Sequence, residues 1–233
     1  MFGTWSRGSF GDREDAGRRL AEKLLGYRDE NPVVLALPRG GVPVAYEIAR
    51  ALHAPLDVFF ARKLGAPGRP EFGIGAVAQG GLRVLNERAV EAQGIPEEYI
   101  ERAAQEETAE IERRLGLLRG KGHLEPEVGG RTAILVDDGL ATGVTALAAV
   151  RALRRRNPGR LVLAVPVCAA RSAETLRGEV DELVCLKEPS DLGSVGFWYK
   201  KFYQVEDEEV IELLERAGRE QEERGSTGSQ GRT

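Results

Sequence analysis

Apolar residues along the chain form two kinds of pattern, short continuous runs and stretches that recur every three or four positions. Continuous runs are typical of strands buried on both faces of a parallel sheet. They predict strands over 32–38, 56–64, 132–137, 161–167 and 181–186. The helical spacing predicts helices over 13–26, 42–52, 96–118, 143–155 and 172–178, and a last helix from about 206.

Strands alternating with helices predict an α/β fold, with a mostly parallel sheet flanked by helices on both faces. One segment departs from this alternation. Gly80-Gly81 separates two apolar runs and predicts a β-hairpin over 74–85. The preceding segment, 65–73, holds three glycines and two prolines, which is typical of a mobile loop.

Composition narrows the classes of protein. A length of 233 residues suits one sizeable domain. The net charge of −4 argues against a broad nucleic-acid or membrane surface. No apolar run reaches the roughly 18 residues of a membrane span, and no signal-peptide pattern opens the sequence, so we expect a cytoplasmic location. Cys168 and Cys185 lie in apolar stretches, where buried thiols are favoured over a disulfide or redox site.

The stretch ILVDDGLATGVT, residues 134–145, carries the clearest chemistry. Asp137 and Asp138 follow a predicted strand, and ligands bind at this end of the strands in open α/β sheets. Thr142, Gly143 and Thr145 then open a helix, whose N-terminal amides attract anions. Carboxylates accept hydrogen bonds from vicinal hydroxyls, so the stretch predicts a site for a ribose 5-phosphate. An acidic turn that only caps a helix is the alternative.

From Thr132 to Thr145 this pattern resembles the phosphoribosyl diphosphate (PRPP) signature of type I phosphoribosyltransferases. The resemblance covers about 30–190. It implies an α/β core carrying a lid loop at 65–73 and the hairpin at 74–85, with a small hood built from the chain termini, 1–29 and 191–220. The polar end, 221–233, is expected to be disordered. More narrowly, the combination of four segments resembles a bacterial group of predicted phosphoribosyltransferases without an assigned substrate; these segments are FGDREDAG, ALPRGGVPVA, ARKLGAPGRPEFGIGAV and FWYKKFYQV.

The resemblance also implies roles for single residues. Asp137 and Asp138 would bind the ribose hydroxyls and hold Mg²⁺ through water, with Lys63 as a further catalytic residue. The 5-phosphate would be bound by Ala141, Thr142, Gly143, Val144 and Thr145. The pyrophosphate would be bound by Arg39, Gly40, Gly41, Arg62 and Lys63. A plain β-to-α turn at 39–41 and solvent-facing strand-end charges at 62–63 are the alternatives.

The acceptor is less well defined. Phe197, Trp198 and Tyr199 offer an aromatic face for a nucleobase, or else they pack the small lobe or a dimer contact. Ala141 stands where enzymes of the resembled family that use 6-oxopurines carry an aspartate, which disfavours hypoxanthine and guanine. His53 and His123 lack metal-ligand spacing.

The sequence therefore predicts an enzyme of nucleotide metabolism that transfers a 5-phosphoribosyl group from PRPP to an unidentified base, with Mg²⁺ as cofactor and pyrophosphate as product. A homodimer is left open. The main alternative is a non-catalytic protein that senses PRPP or a nucleotide, for which the arginines of 151–160 could form a nucleic-acid face. A phosphosugar hydrolase or a purely structural domain would not need the lid.

Overall fold

The computed structural model describes residues 9–119 and 126–229. Within them, the helices are α1 (Arg13–Leu24), α2 (Gly41–Leu52), α3 (Glu87–Gln93), α4 (Glu97–Arg119), α5 (Val144–Arg154), α6 (Ala170–Arg177) and α7 (Asp207–Ser229). The strands are β1 (Val33–Ala36), β2 (Leu56–Val58), β3 (Ala61–Ala66), β4 (Arg69–Ala78), β5 (Leu82–Leu85), β6 (Thr132–Val136), β7 (Arg160–Val167) and β8 (Glu182–Lys187). Short 3₁₀ turns cover Leu25–Tyr27 and Val195–Trp198.

The central sheet is parallel throughout, in the order β2-β1-β6-β7-β8. Its middle strands are buried on both sides, which is why they appear in the sequence as continuous apolar runs. Val34 and Ala36 face a core shared with α1, α2, α4 and α7. Val33 and Leu35 face the opposite core, with α5 and α6. The predicted α/β class with a parallel, helix-flanked sheet is confirmed.

The predicted strand over 56–64 is wrong, because this run serves two sheets. The Phe59 N–H still donates to Ala36 O of the parallel sheet, whereas Phe60 O already accepts from the N–H of Gln79, the residue after β4. Both phenylalanines are buried. β3, β4 and β5 then form a separate antiparallel sheet. The hairpin predicted over 74–85 is present in it, and Gly80 and Gly81 both have positive φ at its turn.

The loop predicted over 65–73 is also replaced by strands. β3 and β4 pair as far as Ala66 and Arg69, and the turn lies at Pro67-Gly68, where Gly68 has φ +66°. Gly65 permits this pairing, since a Cβ there would lie 2.6 Å from Pro70 O. The glycines and prolines therefore shape a two-stranded arm, whose tip is the only part outside a strand.

The segment before α1 pairs with the segment that precedes α7. Phe10 N–H donates to Trp198 O, and Lys200 N–H donates to Phe10 O. The disorder predicted for 221–233 is wrong as far as Ser229, because α7 continues through it. Ion pairs four residues apart, such as Arg216–Glu220 and Arg224–Glu220, support this polar half of the helix. Residues 230–233 lie outside the described residues. Among the helices described, none combines the length and apolar character that a membrane crossing requires.

Candidate functional site

Asp137 and Asp138 lie at the carboxyl end of β6, the middle strand of the parallel sheet. The Asp138 N–H donates to Asp137 Oδ1 at 2.8 Å, which holds the Asp137 side chain against the backbone at the end of the strand. Burial raises the pKa of both carboxyl groups. Repulsion by Asp138 raises the pKa of Asp137 further, while Arg13 acts in the opposite direction on Asp138.

Two residues from the chain termini hold Asp138. Arg13 Nε donates to Asp138 Oδ2 at 2.8 Å, and the Tyr199 hydroxyl donates to Asp138 O at 2.5 Å. The sequence motif does not point to Arg13, although its position in the helix carries one signal. A cation in the first turn of a helix opposes the helix dipole and is therefore unusual unless it has a partner.

The loop after the carboxylates leads into α5. Gly143 is the residue before the helix and has φ +69°, which glycine adopts without strain. Gly143 has no side chain with which to cap the N-terminus of α5. The first amides of the helix therefore keep their capacity to bind an anion. The buried Ser172 hydroxyl donates to Ala141 O at 2.7 Å and fixes the loop from the side of α6.

A cavity of about 760 Å³ opens onto this loop. Two cations from distant parts of the chain, Lys63 of β3 and Arg171 of α6, line it. Its other lining residues include Asn86, Thr142, Thr145, Thr175 and the segment 190–193. Lys63, Thr142 and Thr145 were predicted from the sequence. Arg171 and 190–193 were not, because nothing in their local sequence indicates that they meet the loop.

The loop between β1 and α2 packs directly on the carboxylates. The Pro38–Arg39 peptide, which does not involve a proline nitrogen, is cis. A Cβ on Gly40 would lie 2.1 Å from Asp138 Oδ2, and one on Gly41 would lie 2.7 Å from Val136 O. The absence of a side chain on both glycines therefore allows the two loops to touch. Arg39 Nη1 is 3.0 Å from Glu206 Oε2, at the start of α7.

The structure separates the neighbouring cations Arg62 and Lys63. Successive side chains of a strand point to opposite faces. Arg62 therefore turns towards α4, where it pairs with Glu107, while Lys63 lines the cavity. Of the two, Lys63 is the one placed to meet a ligand.

The three aromatic residues predicted for the base have different environments. Tyr199 is buried, and its ring lies 5.4 Å from Phe10 and 5.1 Å from Phe202. The Trp198 indole N–H donates to Leu192 O at 3.2 Å, beside the cavity. Phe197 is exposed. Tyr199 thus packs the junction of the chain ends, which is the alternative that the sequence left open.

The remaining sequence candidates are two cysteines and two histidines. Cys168 and Cys185 are both free thiols. His53 ends α2 in a left-handed conformation, and His123 is outside the described residues. Within 9–119 and 126–229, no group of three or more His, Cys, Asp or Glu side chains could hold a metal ion.

Comparison with known proteins assigns a family to this arrangement. The model of the phosphoribosyl transferase domain matches residues 8–201. Proteins from two strains of Mycobacterium tuberculosis, each named only as a predicted phosphoribosyl transferase, are 42% identical over 217 residues. The match covers 93% of this chain but 49% of theirs, so the chain spans about half the length of these relatives. A protein from Thermus thermophilus, known from its crystal structure, is 43% identical in sequence to this chain. The two structures align with a TM-score of 0.74, over 88% of this chain and 97% of that one.

Proposed function

The chain belongs to the phosphoribosyl transferase domain family, and from this premise we propose that it transfers a 5-phosphoribosyl group from PRPP to a nitrogenous base and releases pyrophosphate. One observation carries the proposal. Paired carboxylates, Asp137 and Asp138, and the open N-terminus of α5 lie together at the carboxyl edge of the parallel sheet. A diol and a phosphate are the two groups that a ribose 5-phosphate offers to such a site.

Each part of PRPP has a counterpart in the site. The 5-phosphate would lie on the amides and hydroxyls of residues 141–145, at the helix N-terminus. The ribose hydroxyls would donate to Asp137 and Asp138. The pyrophosphate would meet the backbone of 39–41 and the side chains of Arg39 and Lys63. Arg62 has a smaller part in this proposal, because it pairs with Glu107.

Mg²⁺ fits the donors of this site. It is commonly bound by one or two carboxylates together with substrate phosphates and water, rather than by an all-protein cage. Asp137 and Asp138 supply carboxylates of this kind, and PRPP would bring the phosphate oxygens. When bound, the ion would neutralise the charge that develops on the leaving pyrophosphate.

Water must be excluded from the reaction, because displacement at the anomeric carbon passes through an oxocarbenium-like state that water would trap. The β3–β4 arm is the element placed to act as a lid, since Lys63 and Gly73 of its two strands line the cavity. The fixed donors of the site would then act by positioning and electrostatic stabilisation.

Hypoxanthine and guanine are not expected as acceptors, because Ala141 offers no carboxylate to manage the proton of a 6-oxopurine. An assay of pyrophosphate release with PRPP, Mg²⁺ and a panel of bases tests this. Efficient turnover of hypoxanthine or guanine would contradict the exclusion. Turnover of another base would identify the acceptor class.

A nucleic-acid-binding regulator is less well supported. Two of the arginines that would form its face are paired with carboxylates of the chain. Arg151 binds Glu179 through two hydrogen bonds of 3.0 and 2.5 Å, and Arg154 binds Asp181 at 2.8 Å. PRPP binding without turnover of any base would favour the non-catalytic alternative.

The Asp138→Asn variant tests the diol site directly. An amide cannot accept hydrogen bonds with the strength of a carboxylate, so we expect PRPP affinity to fall by about ten- to a hundred-fold. Calorimetric titration with PRPP and Mg²⁺ measures the affinity, and thermal melting checks the fold. Asp29→Asn is the matched control, because Asp29 is exposed ahead of β1, at the opposite edge of the sheet. Unchanged affinity in Asp138→Asn would refute the assignment.

A further inference from the structure

Arg13 connects Asp138 to the C-terminal part of the chain. Although it is charged, its side chain is only 8% exposed. It uses two nitrogens: Nε donates to Asp138 Oδ2 at 2.8 Å, and Nη1 donates to Tyr203 O at 2.7 Å. The guanidinium also stacks on the Phe202 ring, with Cζ 3.9 Å from its centroid. These contacts fix the plane of the guanidinium. They therefore also fix the orientation of the Asp138 carboxylate that it binds.

Asp138 is confined from three directions. Arg13 takes Oδ2, the backbone of Gly40 lies against the same oxygen, and the Tyr199 hydroxyl holds the main-chain carbonyl. A carboxylate has about four lone-pair sites. Arg13 can therefore occupy one of them and leave capacity to accept hydroxyls from a ligand. This arrangement prevents rotation of the Asp138 side chain.

We propose that Arg13 is a positioning residue for the sugar site, which orients the Asp138 carboxylate so that it accepts hydrogen bonds from the ribose hydroxyls. This inference rests on the proposed function, and it assigns a part in the site to helix α1 and to the segment 199–203. It differs from a purely structural role in one respect. A structural arginine would affect every ligand of the site equally, whereas a positioning arginine affects those that carry the hydroxyls.

The test compares two ligands that differ by one hydroxyl, ribose 5-phosphate and 2-deoxyribose 5-phosphate, by calorimetric titration. Both carry the same 5-phosphate, so the ratio of their dissociation constants cancels general changes in the site. We expect the wild type to prefer the ribose compound by about ten-fold or more. In Arg13→Gln the preference should fall to about three-fold or less, because Asp138 is then free to turn away.

Arg13→Lys and Arg18→Gln complete the series. Lysine keeps the charge but lacks the planar fork, so the preference should lie between those of the wild type and Arg13→Gln. Arg18 lies on the same helix, with its side chain 51% exposed, and Arg18→Gln should keep the full preference. If Arg13→Gln fails to fold, Arg13→Lys decides by the same ratio.

The outcomes separate the two proposals. A wild type that binds without any preference for ribose 5-phosphate would contradict the proposed function, and this inference with it. A wild-type preference that survives undiminished in the folded Arg13 variants would overturn the inference alone. A preference that falls in the Arg13 variants and persists in Arg18→Gln supports both.

Discussion

Gly40 is the residue at which the two ligand-binding loops touch. A Cβ there would lie 2.1 Å from Asp138 Oδ2 and 2.7 Å from Asp138 Cγ. Gly40→Ala should therefore displace the carboxylate or the loop, and destabilise the protein by about 1–3 kcal/mol, as overpacking does. PRPP affinity should fall at least about ten-fold. Calorimetric titration and urea unfolding measure the two effects.

Gly116→Ala makes the same chemical change where space is available. Gly116 is exposed in α4, and a Cβ there would have nothing within 4 Å. Alanine should stabilise this helix by about 0.5–1 kcal/mol and leave PRPP binding unchanged. If both variants bound PRPP equally well, the close approach at Gly40 would have no role in the site.

At the scale of elements, acidic residues at the start of α7 pair with Arg39 and so compete with a ligand for its guanidinium. Arg39 Nη1 lies 3.0 Å from Glu206 Oε2 and 3.8 Å from Asp207 Oδ1. To meet pyrophosphate, Arg39 must give up part of this pairing. Ion pairs of such exposure are worth about 0.2–1 kcal/mol. Glu206→Gln should therefore raise PRPP affinity, by no more than about five-fold, as titration calorimetry would measure.

Glu208→Gln is the control for this effect. It removes one negative charge from the same exposed turn of α7, so it reproduces the change in the field of the helix without releasing Arg39. PRPP affinity should stay close to that of the wild type. Equal gains in the two variants would mean that long-range charge, and not the pairing with Arg39, sets the affinity.

Hydrophobic patterning predicts an element well when the element keeps one partner along its length. β1, β6 and β7 are buried on both faces and were located to within a few residues. The run 56–64 was misread, because apolar residues continue across Phe59 and Phe60 while the chain changes sheets. The pattern does not predict helix α3, since the helix is short and none of its residues is fully buried.

The residues of the site were likewise predictable only where the sequence pattern itself placed them. Residues 137–145 form a contiguous motif, so the carboxylates and the anion loop could be predicted together. Arg13 is 125 residues away from Asp138, and its partner is set by how α1 packs beside the sheet. The opposite orientations of Arg62 and Lys63 likewise depend on the strand that they belong to, which the sequence pattern had merged with another.

At the scale of the whole molecule, buried tyrosines join segments that lie far apart in the sequence. The Tyr46 hydroxyl of α2 donates to Glu220 Oε1 of α7 at 2.6 Å. The Tyr27 hydroxyl, just after α1, donates to Glu182 of β8. Both rings are buried. A phenol donating to a carboxylate must keep its proton, so these contacts depend on pH.

This dependence leads to a prediction for alkaline solution. Burial, aided by the hydrogen bond to Glu220, raises the pKa of Tyr46 to about 12, whereas an unfolded tyrosine titrates near 10. Between these values the folded protein holds a proton that the unfolded chain has lost. The free energy of unfolding should therefore fall as pH rises from about 10 to 12. Below pH 10 the contribution is fully present.

Tyr46→Phe removes the titrating group and should flatten this fall. Its free energy of unfolding should be lower than that of the wild type at pH 8, because the hydrogen bond to Glu220 is lost, but it should decline less between pH 10 and 12. Urea unfolding at pH 8, 10 and 11 measures both curves. Tyr27→Phe should behave in the same way, since burial and Glu182 raise the pKa of Tyr27 to about 12. A decline as steep in Tyr46→Phe as in the wild type would show that other groups cause the alkaline loss, and that the contact between α2 and α7 does not depend on this proton.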